Sequence, residues 1–220
     1  MGAARLRLAA ALVVIGLVLG YLFWRHVWFY RNPPRTPPVE AGLVSPADGT
    51  VVYVRSVAPG EEVVVIKKGV RALVKDILRA DVDEPKVVIG IFMSPFDVHF
   101  NRAPLDAEIR FVRHYEAQSE NAFMATMHWR TMLGVEPYYA DSTHILQNAR
   151  TVTCFDGEYR GSALTVYVVQ IGARTVHRID SYYVPGSRRS RRDVRNDSDR
   201  LAGRPHRPAA RGVHGGSPRR

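Results

Sequence analysis

Between Thr50 and Ile171 the apolar residues come in short, β-branched bursts, most of them bounded by Gly, Pro, Asp or Ser. This punctuation is what most limits the fold. An amphipathic helix needs apolar residues recurring about every 3.6 positions over several turns, whereas a strand needs only roughly four to eight residues with turn chemistry at its ends. Thr50–Val57, Glu62–Ile66, Val87–Met93, Ala107–Val112, Arg150–Phe155 and Leu164–Ile171 read as strands, and Pro59-Gly60 and Asp156-Gly157 read as turns between them. Val70–Leu78 fits either a strand or a short helix. Asn121–Leu133 carries Phe123, Met127 and Met132 at helical spacing, which predicts a helix packed on the core through that stripe. The expected architecture is mainly β (α+β): an antiparallel, β-sandwich-like domain with minor helices.

Ahead of it lies an uncharged run of 17 residues, Leu8 to Trp24. A helix that crosses a bilayer needs about 20 apolar residues. Trp24, Trp28 and Tyr30 suit the interfacial belt, and Arg25 can snorkel. A cleaved secretory signal would need a small-x-small site after the run, and aromatic residues stand there instead. Residues 1–31 are therefore expected to form a retained, single-pass transmembrane anchor. Arg25, Arg31 and Arg35 on its far side against Arg5 and Arg7 before it place the soluble domain on the cytoplasmic side of the cell membrane. Asn32-Pro-Pro-Arg-Thr-Pro-Pro38 reads as a stiff, extended linker, residues 32–38. The main domain is expected over residues 39–187.

The formal net charge of +10 says little about that domain. Residues 188–220 hold 11 Arg and 3 Asp and so supply +8 of it. The same segment has no Phe, Trp, Tyr or Ile, and it cannot bury enough apolar surface to offset chain entropy. It reads either as a basic disordered tail or as a stretch translated in a shifted frame. No aromatic residues interleave with the basic run, as a nucleic-acid stacking platform requires, so a nucleic-acid partner is not expected. The single cysteine, Cys154, lies in a strand-like run; it rules out an internal disulfide framework and reads as a buried thiol. The histidines have no H-E-x-x-H spacing, and no metal site is expected.

The chemistry concentrates after the Val87–Met93 run. Ser94-Pro-Phe-Asp-Val-His-Phe-Asn-Arg-Ala-Pro104 puts a carboxylate, an imidazole, an amide and a guanidinium at a strand end, where a rigid sheet presents side chains to a cleft. A second turn, Ser45-Pro-Ala-Asp-Gly49, precedes the first strand. Together these resemble the phosphatidylserine decarboxylase family, which carries S-P-A-D-G and a later S-P-x-D-V-H-x-N-R-A-P. Phe29-Tyr-Arg-Asn-Pro-Pro-Arg35 is similar to the family's stretch ahead of the domain, and Val168-Val-Gln-Ile-Gly-Ala-Arg174 to its late strand. One departure is Asn148-Ala149-Arg150, where the family commonly has N-E-R.

The resemblance implies conversion of phosphatidylserine to phosphatidylethanolamine and CO₂ by the short, pyruvoyl-dependent type of enzyme. It implies a phospholipid substrate at a membrane, and either homo-oligomers or pairing of self-cleaved chains. The pyruvoyl carbonyl serves as the electron sink and is made from the serine of a Gly-Ser pair. The resemblance assigns His99 as the base for that serine and Asp48 as the group that orients the imidazole, and it leaves Ser94, Asn101 and Arg102 for substrate phosphate or carboxylate. A Gly-Ser pair in the family's position is missing. Gly161-Ser162 comes too early and reads as a turn, and Gly186-Ser187 and Gly216-Ser217 lack the flanking residues. Codons can be chosen for Asp193 to Pro208 whose one-nucleotide shift encodes T-F-G-M-I-R-I-G-S-Q-V-D-L-I-V, close to the family's F-G-x-I-R-x-G-S-x-V-D. A frameshift near Gly186–Arg188 is therefore expected. In the frame given no pyruvoyl group forms and the chain is inactive; the alternative is a catalytically dead, membrane-anchored lipid-binding protein of the same fold.

Overall fold

The computed structural model describes residues 2–38, 42–174 and 179–190. Helix α1, Gly2–Phe23, is apolar all round from Leu8 onward and buries none of its residues, and it continues into a wider π-helical turn over Trp24–Trp28. The combined 27 residues have mean hydropathy 2.3 in their most apolar window. At ~1.5 Å per residue they reach ~40 Å, more than the ~30 Å of a bilayer's hydrocarbon core.

The remainder is mostly antiparallel sheet with few helices, as the turn-punctuated sequence predicts. β1 (Thr50–Val57) pairs with β4 (Lys86–Phe92), and β2 (Glu62–Lys67) forms a hairpin with β3 (Val70–Leu73). A four-stranded sheet has the order β7-β6-β5-β8, from β5 (Ala107–Tyr115), β6 (Arg150–Tyr159), β7 (Ser162–Ile171) and β8 (Arg188–Arg189). The ambiguous Val70–Leu78 stretch is both things in turn: β3, then the short helix α2, Val74–Leu78. Helices α3 (Ala125–Leu133) and α4 (His144–Gln147) complete the set among the described residues.

Two apolar clusters hold these layers. One gathers Val57, Val63, Val64, Ile66, Ala72, Ile77, Phe92, Met127 and Ile145; the other, beneath the end of β5, gathers Ala103, Leu105, Ala107, Ile109 and Phe155. Burial of each Val, Leu, Ile, Phe or Met side chain among them contributes roughly 1.5–3 kcal/mol. β6 is central, and all six residues from Arg150 to Phe155 are buried. Cys154 is among them, fully enclosed, and burial raises its thiol pKa, as suits a packing role.

Two expectations need correction. Asp156-Gly157 is not a turn; it lies within β6, and the β6–β7 reversal is made at Arg160-Gly161, both at positive φ. Gly157 is required by proximity: a Cβ there would stand 2.6 Å from Leu105 Cδ1 and 2.8 Å from the Asp106 carbonyl oxygen. The α3 stripe is also only partly core. Met127 is buried, but Phe123 and Met132 are 60% and 59% exposed. Helical spacing places residues on one face and leaves open how much of that face the core covers. β8 stands where the basic tail was expected to begin, and Arg188 and Arg189 pair with Glu108 and Ala107. Residues 191–220, including Gly216-Ser217 and the shifted-frame segment, lie outside the described residues.

Candidate active site

The two motif turns are laced together. Pro46 oxygen accepts from Arg102 N (2.8 Å), and Pro104 oxygen accepts from Val44 N (2.9 Å), so the two segments run antiparallel. Asp48 lies two residues past one of these contacts and His99 three residues before it. Gly49 closes the crossing. Its φ is +136°, and a Cβ would sit 2.2 Å from the Phe92 carbonyl oxygen, so only glycine lets the Asp48 turn run this close to the end of β4.

The loop after β4 is built by its own polar residues. Asp97 accepts from Ser94 N (2.7 Å) through its carboxylate, and Ser94 Oγ accepts from Phe96 N (3.3 Å). Ser94 thus acts as a turn builder here. Arg102 donates to the Phe100 oxygen, to Asn32 Oδ1 and to the Pro33 oxygen, tying residues 32–33 to the loop. Asn101 Oδ1 is buried and without a hydrogen-bond partner. An orphan acceptor of this kind costs about 1–3 kcal/mol unless a donor reaches it, and it suits a ligand N–H or O–H.

His99 is the chemically poised group. Its Nδ1 lies 3.0 Å from the Asp97 carbonyl oxygen. A carbonyl can only accept, so Nδ1 carries the proton in the neutral ring and Nε2 keeps its lone pair. Burial lowers the imidazole pKa, the Asp97 hydrogen bond and charge oppose this, and the Arg31 charge adds to the lowering. On balance burial favours the neutral ring, and Nε2 has no hydrogen-bond partner among the described residues. Asp48 is not its hydrogen-bond partner in this structure: the Asp48 carboxylate pairs with Arg35. The side chain of Phe29 stacks on the imidazole, with centroids 4.0 Å apart and planes at 28°.

The departure at Asn148-Ala149-Arg150 belongs to a different place. Asn148 is fully buried. Its Nδ2 donates to the oxygens of Ala122 (3.0 Å) and Gly172 (2.7 Å), and its Oδ1 accepts from Ala122 N (2.8 Å). Arg150 is fully buried as well and donates to the carbonyls of Asp76, Ile77, Leu146 and Asn148, joining the ends of α2 and α4 to β6. Burial, then the neighbouring Arg79, lowers its pKa to about 10, so it stays charged at neutral pH. His144 beside it is pushed down to about 4 by burial and then by Arg150. The sequence signal for this hub was an Asn and an Arg opening an apolar strand.

No described Gly-Ser pair is bonded to the His99 loop. Gly161-Ser162 forms the β6–β7 turn, and Gly186-Ser187 sits beside β5, with Gly186 N donating to the Ile109 oxygen (2.7 Å). These residues do not fit a self-made carbonyl group at His99. Among the described residues no cluster of three or more His, Cys, Asp or Glu could hold a metal ion. An open groove of about 500 Å³ lies beside β1, lined by residues including Val51, Tyr53, Pro137 and Tyr139, and none of Asp48, His99, Asn101 or Arg102 lines it.

The family model for phosphatidylserine decarboxylase matches residues 22–195. The chain belongs to the phosphatidylserine decarboxylase family. It is similar to the phosphatidylserine decarboxylase proenzyme of Carboxydothermus hydrogenoformans, 31% identical over 176 residues, 78% of this chain and 62% of that protein. The proenzyme of Mycobacterium marinum is 28% identical over 201 residues, 80% of this chain and 75% of the relative. That of Symbiobacterium thermophilum is 40% identical over 98 residues, 44% and 37% of the two chains. The chain therefore covers less than two thirds of the Carboxydothermus relative. The match takes in both laced motifs and stops six residues after β8.

Proposed function

We propose that this chain is the body of a membrane-anchored phosphatidylserine decarboxylase, acting in phospholipid metabolism, whose pyruvoyl-forming serine is encoded one nucleotide out of frame. The observation that carries the reading is His99: desolvated, neutral, with Nδ1 committed to a carbonyl and Nε2 free, on a loop laced to the Asp48 turn. Nε2 would take the seryl proton that starts self-cleavage, and the Asp48 carboxylate would stabilise the imidazolium that results. The buried Asn101 acceptor, with Arg102 and Ser94, would meet the phosphate or amine of the substrate head group. The pyruvoyl group, once formed, supplies the electron sink for loss of CO₂.

The direction of β8 supports the frame argument. It runs antiparallel to β5, so at Arg189 the chain is heading back along β5 toward the Arg102 end of the loop. Ser190 Oγ then bonds Asp106 Oδ1 at 2.7 Å. A Gly-Ser pair about a dozen residues further on would be within reach of the loop at ~3.3 Å per extended residue. α1 would hold the site beside a bilayer with the domain on the cytoplasmic face, residues 32–38 bridging to a domain over 39–187.

Expression of the gene with a one-base correction near codons 186–188, beside the gene as given, tests the reading. The corrected chain should split into two and release CO₂ from phosphatidylserine vesicles, and the chain as given should do neither. CO₂ release by the uncorrected chain, or an uncleaved corrected chain, would overturn it. Binding of the uncorrected chain to phosphatidylserine vesicles without turnover is what the catalytically dead, lipid-binding alternative predicts.

A further inference from the structure

Among the described residues, the polar links that the segment leaving α1 makes to the sheet domain land on the two motif turns. Trp24 Nε1 donates to the Pro95 oxygen (3.3 Å) and Arg31 Nη2 to the Phe96 oxygen (2.6 Å). Asn32 accepts from Arg102, and Arg35 pairs with Asp48. Phe29 covers one face of His99. A free spacer between an anchor and a domain would leave its side chains in water; this one closes over the site. We infer that residues 29–35 form a wall of the active site and that Phe29 is a positioning residue for His99, holding the imidazole plane so that only its Nε2 edge is open. The inference rests on His99 being the working base of the proposed function.

The physical argument has two parts. A ring stacked at 4.0 Å excludes water from that imidazole face and removes the rotational freedom about the Cβ–Cγ bond that a loop histidine otherwise keeps. It also contributes to the desolvation that disfavours the imidazolium. Among the described residues, the charged groups acting on His99 are Asp97 on its own loop and Arg31 on the segment from α1; Arg25 lies over the Phe29 ring, 5.6 Å from its centroid. None of these is removed by truncating Phe29, so a change on truncation reports the stack itself.

The test is an NMR titration of the histidine imidazoles in the full chain, in detergent micelles, for the wild type, Phe29→Ala, Phe29→Leu and Phe29→Trp. It reads the ring and needs neither self-cleavage nor decarboxylation, so its failure is distinct from failure of the proposed activity. The wild-type His99 ring should show nuclear Overhauser contacts to the Phe29 ring. Phe29→Ala should raise its titration midpoint by about 0.5–1 pH unit toward the ordinary value, with Phe29→Leu in between and Phe29→Trp near wild type. The buried His144 should stay near about 4 in all four, which marks an intact fold. If Phe29→Ala unfolds, Phe29→Leu and the wild-type ring contacts decide. Absent ring contacts, or an unmoved His99 midpoint in a folded Phe29→Ala or Phe29→Leu chain, overturn the inference.

Discussion

The His99 loop and the Arg150 hub are both polar clusters against a strand, yet their hydrogen-bond accounts differ. Arg150 is fully buried and spends its guanidinium on carbonyls of Asp76, Ile77, Leu146 and Asn148. The loop is only partly buried and leaves Asn101 Oδ1 without a partner and His99 Nε2 free. Satisfied groups hold a fold, and unsatisfied ones wait for a ligand or a proton. The difference predicts opposite outcomes for mutation at the two places.

The largest effect should come from Arg150→Met. The side chain is similar in length, but the carbonyls of Asp76, Ile77 and Asn148 lose the Arg150 guanidinium inside the protein and that of Leu146 is left with Arg79 alone, so about 3–5 kcal/mol of stability should go, read as a collapse of the thermal transition. His99→Gln should do the reverse. Stability should change by under ~1 kcal/mol, while self-cleavage of the frame-corrected chain should fall ~10²–10⁴-fold, measured by gel densitometry. Equal damage to both properties at either residue would erase the contrast.

Acid sharpens the comparison at the hub. Burial, then the charge of Arg150, pushes the His144 imidazole down to about 4 in the folded chain, from its ordinary 6.5 in the unfolded one. Between those values the unfolded chain binds a proton that the folded chain refuses. Stability therefore rises with pH across that window, is complete above it, and is lost as pH falls through it, by about 3 kcal/mol. His144→Gln should flatten the wild-type stability curve between pH 4 and 6.5 while leaving carboxylate contributions in place. The same slope in both chains would mean that His144 is solvated.

Much of this division was legible in the sequence, and the failures share a cause. Thr50–Val57 and Arg150–Phe155 declared themselves as strands because β-branched runs bounded by turn residues have few other uses. His99 came forward because the string around it is long and specific, and Asp48 came forward with it, since its S-P-A-D-G turn is weak by itself. Asp156-Gly157 misled because a glycine that permits a turn and a glycine that yields space to Leu105 are the same letter. Phe123 and Met132 misled because spacing does not reveal where a core ends. Phe29 stood out only as the first residue of the stretch ahead of the domain, and only the fold brings a residue 70 positions away under its ring. Arg150 looked like the remainder of a motif missing its glutamate, when the fold makes it a junction of two short helices and a strand.

The smallest expected effect tests the boundary between the two classes. Arg35 and Asp48 have side chains 44% and 27% exposed, so their pair is solvent-screened and Arg35→Gln should cost no more than ~0.5 kcal/mol of stability. The ion pair nevertheless fixes where the carboxylate points relative to the loop that carries His99. In the frame-corrected chain Arg35→Gln should slow self-cleavage by less than ~10-fold, and Arg35→Lys should restore most of it, because the role needs a cation more than a fork. A loss as large as that of His99→Gln would mean that the orientation of Asp48, rather than proton transfer to Nε2, limits the reaction. No loss would move Arg35 out of the site and leave Trp24, Phe29, Arg31 and Asn32 as the contacts by which the segment after α1 acts on it.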